Sequence, residues 1–435
     1  MATNMKQHIV IVGGGAGGLE LATRLGNRLG RSGRAHITLV DANLTHIWKP
    51  LFHEVAAGSL NTGLDELNYV AQARWNHFSF QYGRMSALNR HNKMITLERM
   101  LDANGKEISP ERTIAYDTLV MSVGSQSNDF GTPGVYEHCA FLDSRRQAEK
   151  LHQTLLNHHL NAHATNSDAP LNIAVVGAGA TGVELCAELQ HAARLLQGYG
   201  VRKASSDTLK VYLLEAGERI LPALPERISQ AVHRELIKVG VEVLVRTAVQ
   251  EVTPCEVVLR DNERVKVDLT IWAAGIKAPA FLGRLDGLTT NRINQLEVLP
   301  TLQSVSDERV FAIGDCAACP VEGSDGKRVP PRAQAAHQQA ELLAQNLERQ
   351  LSGKPLKSFK YRDYGTLVSL ASFSAVGTLM GNLSGATFVE GLLARMFYMS
   401  LYRMHQAALL GKRRVLLRML GDLLSGRSRP RLRLH

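Results

Sequence analysis

The sequence predicts an α/β protein made of two tandem dinucleotide-binding domains of the Rossmann type, followed by a C-terminal helical segment. Two glycine-rich stretches predict the domains: "VIVGGGAGGLE" at residues 10–20 and "VVGAGATGVE" at residues 175–184, each after an apolar strand. A third observation predicts the segment, because residues 412–435 hold eight basic residues against one acidic residue. A chain of 435 residues has room for two or three domains.

The first domain opens with a short apolar strand, His8–Val12. Gly13, Gly15 and Gly18 follow it in GxGxxG spacing, and a helix is predicted next. These glycines permit a tight turn and let the backbone approach a pyrophosphate, which the N–H groups of the helix start can bind. A second strand ends at Asp41, whose carboxylate can accept hydrogen bonds from a ribose.

The second domain repeats this order. The strand "NIAVVG" leads into Gly177, Gly179 and Gly182, and the strand "KVYLLE" ends at Glu215. An acid at this position favours NAD, because it would repel the extra phosphate of NADP. Arg219 lies four residues later and weakens that preference. The matching strand, helix and acid in both domains make a chance glycine-rich turn improbable.

Both domains also close alike. The stretch "YDTLVMSVGS" contains Gly124, and "VDLTIWAAGI" contains Ala274 and Gly275. A further strand, "VFAIGDCA", follows the second domain and ends at Gly314 and Asp315. Its position after two complete nucleotide units predicts that the chain returns to the first domain.

This order of motifs resembles the two-dinucleotide-fold flavoprotein reductases over about residues 7–350. The resemblance implies an FAD-binding domain at residues 1–168 and 276–352, an inserted NADH-binding domain at 169–275, and a C-terminal domain at 353–435. The residues implied to bind FAD are Gly13, Gly15, Gly18, Asp41, Lys49, Gly124, Gly314, Asp315 and Gln334. Those implied to bind NADH are Gly177, Gly179, Gly182, Glu184, Glu215, Ala274 and Gly275.

The cysteines of the sequence bear on which group accepts electrons from the flavin. Disulfide reductases of this class carry a cysteine pair soon after the first acid, but "DANLTHIWKPLFHEVAAG" contains no cysteine. Cys316 and Cys319 form the one close pair in the sequence and lack a second pair for zinc, so ordinary thiols are favoured over a redox or metal role. No metal ligand set is predicted.

The stretch "HIWKPLFHEVAAG" resembles the type II NADH:quinone oxidoreductases. "PRAQAAHQQA" matches their AQxAxQ pattern and places Gln334 and Gln338 on one helix face. The resemblance implies that these amides lie at the flavin and donate to a quinone carbonyl; the alternative is a polar helix face in solvent.

Glu184, in "GVE" of the second loop, is implied to lie near nicotinamide and flavin, where a carboxyl can handle a proton. The alternative, about equally favoured, is a carboxylate that stabilises the start of its own helix. The C-terminal stretches "FKYRDYGTLVSLASFSAVGTLMG" and "GLLARMFYMSLYRMHQAALLG" extend the resemblance, to bacterial respiratory members of the family, over nearly the whole chain. Tyr364 stands where some members have lysine, so no proton-carrying role is transferred to it.

The C-terminal segment is predicted to attach the protein to a membrane surface without crossing it. The most apolar stretch, 392–410, is interrupted by Arg395, Arg403 and His405. Basic amphipathic helices lie in the interface of anionic bilayers. The two apolar stripes are Leu393, Phe397, Leu401, Met404 and Ala408, then Val415, Leu416, Met419, Leu420, Leu423 and Leu424. Packing on the protein body, or on a second copy in a homodimer, is the alternative; nucleic acid is disfavoured because no binding module is recognised.

The sequence therefore predicts a peripheral flavoprotein on the cytoplasmic face of the inner membrane that oxidises NADH and reduces a quinone, ubiquinone, through FAD without pumping protons. Five scattered cysteines and no export signal agree with a reducing cytoplasm. One alternative is a soluble NADH-dependent reductase of a protein carrier, or a sulfide:quinone reductase, which would need cysteines near the flavin. The other is a membrane-bound redox sensor, which quinones would reoxidise slowly.

Overall fold

The computed structural model describes residues 6–60, 62–102, 104–167, 169–200, 209–323, 326–371, 374–380, 386–390, 392–425 and 432. The chain divides into two compact units. Unit 1 comprises Met1–Trp48, Glu66–Gln126 and Ile276–Asp363; unit 2 comprises Lys49–Asp65, Ser127–Gly275 and Tyr364–His435. This division differs from the predicted domain boundaries, because 49–65, 127–168 and 364–435 all group with the second glycine-rich loop. The cofactor of each unit stays a prediction.

The helices begin where capping residues or glycines allow it. In the longest, Ser144 and Gln147 form a capping box in which each side chain bonds the other's backbone N–H. The helices are α1 Ala16–Leu25, α2 Phe52–Ala57, α3 Thr62–Asp65, α4 Tyr69–Trp75, α5 Val135–His138, α6 Arg145–Ala164, α7 Ala180–Gly198, α8 Glu226–Lys238, α9 Ala333–Leu351, α10 Leu392–Leu410 and α11 Lys412–Ser425.

The strands are short and mostly apolar. In order they are β1 Gln7–Val12, β2 Ala35–Asp41, β3 Thr45–His46, β4 Leu67–Asn68, β5 Ser79–Tyr82, β6 Met85–Asn89, β7 Met94–Leu97, β8 Met100–Leu101, β9 Glu107–Ser109, β10 Arg112–Ala115, β11 Thr118–Met121, β12 Gln126–Ser127, β13 Cys139–Ala140, β14 Leu171–Val176, β15 Leu209–Leu214, β16 Val241–Leu244, β17 Val249–Val252, β18 Glu256–Leu259, β19 Arg264–Lys266, β20 Leu269–Trp272, β21 Ile276–Lys277, β22 Leu296–Glu297, β23 Gln303–Ser304, β24 Asp307–Ala312, β25 Ala317–Ala318, β26 Gly365–Leu370, β27 Ser374–Met380 and β28 Ala386–Glu390.

Unit 1 is organised around a six-stranded sheet in the order β23-β24-β11-β1-β2-β5. Strand β1 runs parallel to β11 on one side and to β2 on the other, with Val12 opposite both Met121 and Val40. Its last four residues are buried, as expected for a parallel strand covered on both faces. Strand β24 pairs in parallel with β11, so the chain does return to the first sheet, as predicted.

Unit 2 repeats this plan with a five-stranded parallel sheet in the order β13-β20-β14-β15-β16. Strand β14, which leads into the second glycine-rich loop, lies between β20 and β15. Two three-stranded antiparallel sheets complete the unit: β17-β18-β19 and β26-β27-β28. The C-terminal strands therefore belong to the same compact unit as the second loop.

The two C-terminal helices, α10 and α11, also belong to unit 2. Asp65 ties them to the body, because its Oδ1 lies 3.3 Å from both the Tyr402 hydroxyl and an Arg418 nitrogen. Within the described part of the chain, no helix combines the length and the apolar character needed to cross a membrane.

The predicted apolar stripe of α11 divides between the body and the surface. Val415 is buried, whereas Leu416, Met419 and Leu420 are exposed, as is Met404 on α10. The following stripe side chains lie outside the described part of the chain: Leu393, Phe397, Leu401, Leu423 and Leu424.

Candidate functional site

The first glycine-rich loop leaves a phosphate-sized opening at the start of α1. Gly13 has φ +101°, and a Cβ there would overlap the Ser122 carbonyl, so only glycine fits. A Cβ at Gly15 would meet no atom within 4 Å. Gly15 is also the N-cap of α1, and no side chain caps the helix. The N–H groups of the first turn thus point into open space, which suits a pyrophosphate.

The second loop has the same construction. Gly177 has φ +99°, and a Cβ there would lie 2.6 Å from the Cα of Ala274. A Cβ at Gly179 would meet nothing within 4 Å, and no side chain caps α7, which starts after it. Each unit therefore carries one opening fitted to a dinucleotide phosphate.

An acid at the end of the next strand fixes each loop. The Asp41 Oδ2 accepts a 2.6 Å hydrogen bond from Gly14 N, and its other oxygen accepts from Asn43. The Glu215 Oε2 accepts at 2.9 Å from Ala178 N, and its Oε1 accepts at 2.7 Å from Gly217 N. Both acids thus hold the middle of a glycine-rich loop and stand beside the ribose position that the motif implies.

The Arg219 side chain is hydrogen-bonded to the backbone of unit 2. Its guanidinium donates to the carbonyls of Leu221, Pro222 and Leu224, at 3.3, 2.8 and 2.9 Å. A guanidinium held this way cannot also turn to an additional phosphate without losing those bonds. Arg219 is therefore a weaker argument against a preference for NADH than its position in the sequence indicates.

Three of the predicted FAD residues come together in unit 1. The Ser125 hydroxyl, next to Gly124, donates a 2.7 Å hydrogen bond to Asp315 Oδ2. Gly314 N donates to the Oε1 of Gln339, a buried glutamine on α9, at 2.7 Å. Sequence reasoning missed Ser125 and Gln339, since a lone serine and a glutamine outside the recognised pattern carry no distinctive signal.

Lys49 is not grouped with the other predicted FAD residues, which lie in unit 1. It belongs to unit 2, where its Nζ stands 3.9 Å from Asp143 Oδ1. Asp143 also accepts hydrogen bonds from the backbone and hydroxyl of Ser127, at 2.8 and 3.0 Å. Asp143 was not identified from the sequence.

Gln334 and Gln338 lie on the first turns of α9, as their spacing predicts, and both side chains contact the segment that follows the helix. The Gln334 amide donates at 3.3 Å to Asp363 Oδ1. Gln338 donates at 2.8 Å to the Arg362 carbonyl and accepts at 3.0 Å from its N–H. The Gln338 amide therefore holds the 362–363 segment against α9.

Glu184 is a buried carboxyl on α7 in unit 2. Its Oε1 accepts a 3.0 Å hydrogen bond from the backbone N–H of Ser369 on β26, and its Oε2 lies 3.7 Å from His53 Nδ1. Burial raises its pKa to about 8, the Ser369 bond opposes this and the charge of Glu188 adds to it. Glu184 is thus protonated at neutral pH, and it bonds another strand and not the start of its own helix.

The comparisons with known proteins agree with this geometry. The pyridine nucleotide-disulphide oxidoreductase family model matches residues 7–340. The chain is 47% identical to a type II NADH:quinone oxidoreductase of Haemophilus influenzae, over 99% of this chain and 100% of that protein. The chain belongs to the type II NADH:quinone oxidoreductases. A Staphylococcus epidermidis enzyme with the same name is 28% identical over 88% of this chain and 91% of its own length.

Solved structures show that the whole fold is shared. NDH2 from Plasmodium falciparum in complex with NADH matches with a TM-score of 0.80 at 18% identity, covering 98% of this chain and all of that one. A sulfide:quinone oxidoreductase from Aquifex aeolicus matches with a TM-score of 0.72 at 16% identity, covering 93% and 92%. FAD is the flavin typical of this family.

The cysteines of this type II oxidoreductase are poorly suited to redox chemistry or metal binding. Burial raises the pKa of the thiols of Cys316 and Cys319 to about 12. Thiols in this state stay protonated at neutral pH and are weak nucleophiles and ligands. Both side chains lie against backbone carbonyls, as ordinary buried cysteines do.

Proposed function

We propose that the protein oxidises NADH and passes two electrons through FAD to a quinone, ubiquinone, without moving protons across the membrane. The observation that carries this proposal is the pair of equivalent loops, one per unit, each with an uncapped helix start and an acid. Full-length similarity to a type II NADH:quinone oxidoreductase supports it.

In this proposal the loop of unit 1 holds FAD and that of unit 2 holds NADH. The FAD set is Gly13, Gly15, Gly18, Asp41, Gly124, Gly314 and Asp315, and the FAD contact of Lys49 stays a prediction. The NADH set is Gly177, Gly179, Gly182, Glu184, Glu215, Ala274 and Gly275. FAD, when bound, supplies a group that accepts two electrons from NADH and donates them to the quinone.

Discrimination for NADH over NADPH is assigned to Glu215. Its carboxylate stands at the end of β15, the position where a 2′-phosphate of NADPH would meet a like charge. The Arg219 guanidinium is held by three backbone carbonyls and so is not directed at that phosphate. A strong preference for NADH follows.

Glu184 is proposed to hold the proton that the reaction consumes. NADH and a quinone yield NAD⁺ and a quinol only with one additional proton. A carboxyl with a pKa of about 8 carries that proton at neutral pH and can release it. The 3.0 Å bond from Ser369 N fixes the orientation of the carboxyl.

The two glutamines of α9 are proposed to have different roles. Gln338 makes two hydrogen bonds with the backbone of Arg362 and so positions the segment that follows α9. Gln334 donates a 3.3 Å hydrogen bond to Asp363, and we assign its amide the role of donor to a quinone carbonyl.

Attachment to the membrane is assigned to α11. Leu416, Leu417 and Leu420 are 59%, 69% and 54% exposed, and Arg413 and Arg414 flank them in exposed positions. An apolar surface with basic neighbours fits the interface of an anionic bilayer. Because NADH is a cytoplasmic metabolite, we place this contact on the cytoplasmic face of the inner membrane.

Vesicle flotation tests the membrane contact. Full-length protein is mixed with vesicles containing a fifth anionic lipid, and the floating fraction is compared between the parent and a Leu416→Gln/Leu420→Gln variant. Loss of most of the floating fraction is expected, because about 2–4 kcal/mol of apolar burial disappears. Leu160→Gln, at a leucine of α6 that is 47% exposed, is the matched control.

Equal flotation of both variants would remove α11 from the membrane contact. If the double variant instead lowered the mass of the free protein from a dimer to a monomer, the exposed face would be an interface between two copies.

A further inference from the structure

His53, on α2, has one buried ring nitrogen with no hydrogen-bond partner in the part of the chain that the structure describes. The residue is 1% exposed, and the nitrogen concerned is Nε2. The ring bonds the Pro50 carbonyl, so the donor in that bond is Nδ1–H. Nε2 therefore carries a lone pair inside the protein with nothing to accept.

Two carboxylates lie close to the His53 ring. Nε2 of His53 lies 3.9 Å from Glu54 Oε1, and the ligand atoms of His53, Glu54 and Glu188 all lie within 4.8 Å of one another. His53 and Glu188 are buried, while the Glu54 side chain is 21% exposed. An imidazole nitrogen and two carboxylates close together in a low-dielectric site are groups that a cation stabilises.

The spacing suits a metal ion better than a direct hydrogen bond. A separation of 3.9 Å exceeds the reach of a hydrogen bond between the ring and the carboxylate. Two ligands that each stand about 2.1 Å from a tetrahedral ion are about 3.4 Å apart. Small side-chain movements would bring all three atoms to that distance.

The surroundings also orient the ligands. The Ser59 hydroxyl donates a 2.9 Å hydrogen bond to Glu188 Oε2, which fixes that carboxylate. A backbone carbonyl that accepts from the second ring nitrogen is the usual support of a metal-binding histidine. The partly exposed Glu54 gives an ion access from solvent.

We propose that His53 Nε2, Glu54 and Glu188 bind a divalent transition-metal ion of the Zn²⁺ type, with water in the remaining position. Imidazole and carboxylate ligands in a three-residue set match the preferences of this ion. Glu54 follows His53 directly, but Glu188 lies on α7, far along the chain, so no sequence motif announces the site. The proposal does not depend on the reaction assigned above.

Binding of Co²⁺ and Zn²⁺ to the flavin-loaded, full-length protein tests the site. After chelator treatment and buffer exchange, Co²⁺ is titrated and its visible bands beyond 550 nm are recorded, where oxidised flavin does not absorb. One saturable site per chain is expected, and Zn²⁺ should displace the cobalt signal. Glu188→Gln and Glu54→Gln should each weaken binding at least tenfold.

His36→Gln is the matched control, because His36 is an exposed histidine that bonds Ser79 on a neighbouring strand. Glu54→Gln changes a partly exposed side chain and keeps its shape, so it stays informative if the variants at buried positions fail to fold. Absence of a cobalt signal at 100 µM would overturn the proposal. Equal affinity in parent, Glu54→Gln and Glu188→Gln would do so too, and would assign the metal to surface histidines.

Discussion

Replacement of Glu184 by glutamine is expected to stabilise the protein and to slow its turnover. Burial raises the pKa of this carboxyl from 4.5 to about 8. Between those values the folded protein keeps a proton that the unfolded chain releases, so stability falls as pH rises, by about 1.4 kcal/mol for each pH unit. At pH 7 the accumulated cost is about 3 kcal/mol. Glutamine carries no charge in either state and escapes this cost.

The melting temperature of chelator-treated, flavin-loaded protein measures this effect. A gain of about 3 kcal/mol corresponds to a rise of roughly 5–10 °C at pH 7 for a domain of this size. The difference in melting temperature between variant and parent should shrink towards pH 5. There the unfolded parent chain also begins to keep the proton, so the cost of burying Glu184 falls. Glu242→Gln, at an exposed carboxylate of β16, controls for the general effect of removing an acid. A difference between Glu184→Gln and parent that is equal at pH 5 and pH 8 would show that Glu184 is not protonated in the folded state.

The same substitution separates the proton-handling role from a structural one. Glutamine keeps an oxygen that can accept from Ser369 N, so the fold and nucleotide binding should persist. Turnover at pH 7 should fall by 10²–10⁴, the range typical of losing a general acid, with little change in the KM for NADH. An unchanged turnover would remove Glu184 from the chemistry.

Three further outcomes are expected. Gly15→Val should keep the melting temperature of the apoprotein but lose FAD, measured as the flavin-to-protein ratio; Gly13→Ala should also lower the melting temperature, because its Cβ has no space. Glu215→Ala should lower kcat/KM for NADH about 10- to 100-fold, and steady-state kinetics should show a gain in kcat/KM for NADPH, because the charge that repels its 2′-phosphate is gone. His337→Gln should destabilise the protein at pH 7. Burial acts to raise the pKa of the Glu20 carboxyl, but the hydrogen bonds and charges of His337 and Arg24 outweigh burial, so the pKa of Glu20 is lowered. Thermal melts should show that loss fading as pH falls through that pKa, and a constant loss would refute the explanation.

The glycine-rich loops could be predicted from sequence because their chemistry is local. A positive φ at Gly13 and Gly177, and the open space at Gly15 and Gly179, follow from spacing within a few residues. The parallel strands before the loops and the return of β24 to the first sheet follow from the same pattern. Such motifs constrain backbone geometry directly, so a single sequence reveals them.

The environment of Glu184 could not be predicted, because its partners are distant in sequence. Glu184 accepts a hydrogen bond from the N–H of Ser369, which is 185 residues away in the sequence. His53 lies on α2, much earlier in the sequence. The bond from Ser125 to Asp315 spans 190 residues. These contacts depend on how sheets and helices pack, and no spacing rule in the sequence reports them.

His337 illustrates a different failure. The His337 ring bonds Glu20, a buried carboxylate that also pairs with Arg24. The network joins α1 to α9 within unit 1. No spacing pattern pairs His337 with Glu20, because the two residues lie near opposite ends of the sequence of unit 1.

Anaerobic stopped-flow of the flavin-loaded protein tests the central claim most directly. The protein is mixed first with NADH or NADPH and then with a short-chain ubiquinone, and the flavin absorbance near 450 nm is followed. Rapid bleaching by NADH, slow or no bleaching by NADPH, and rapid recolouring by the quinone are expected. Bleaching by NADH without recolouring by the quinone would contradict the quinone assignment and favour a reductase of a protein carrier or a redox sensor.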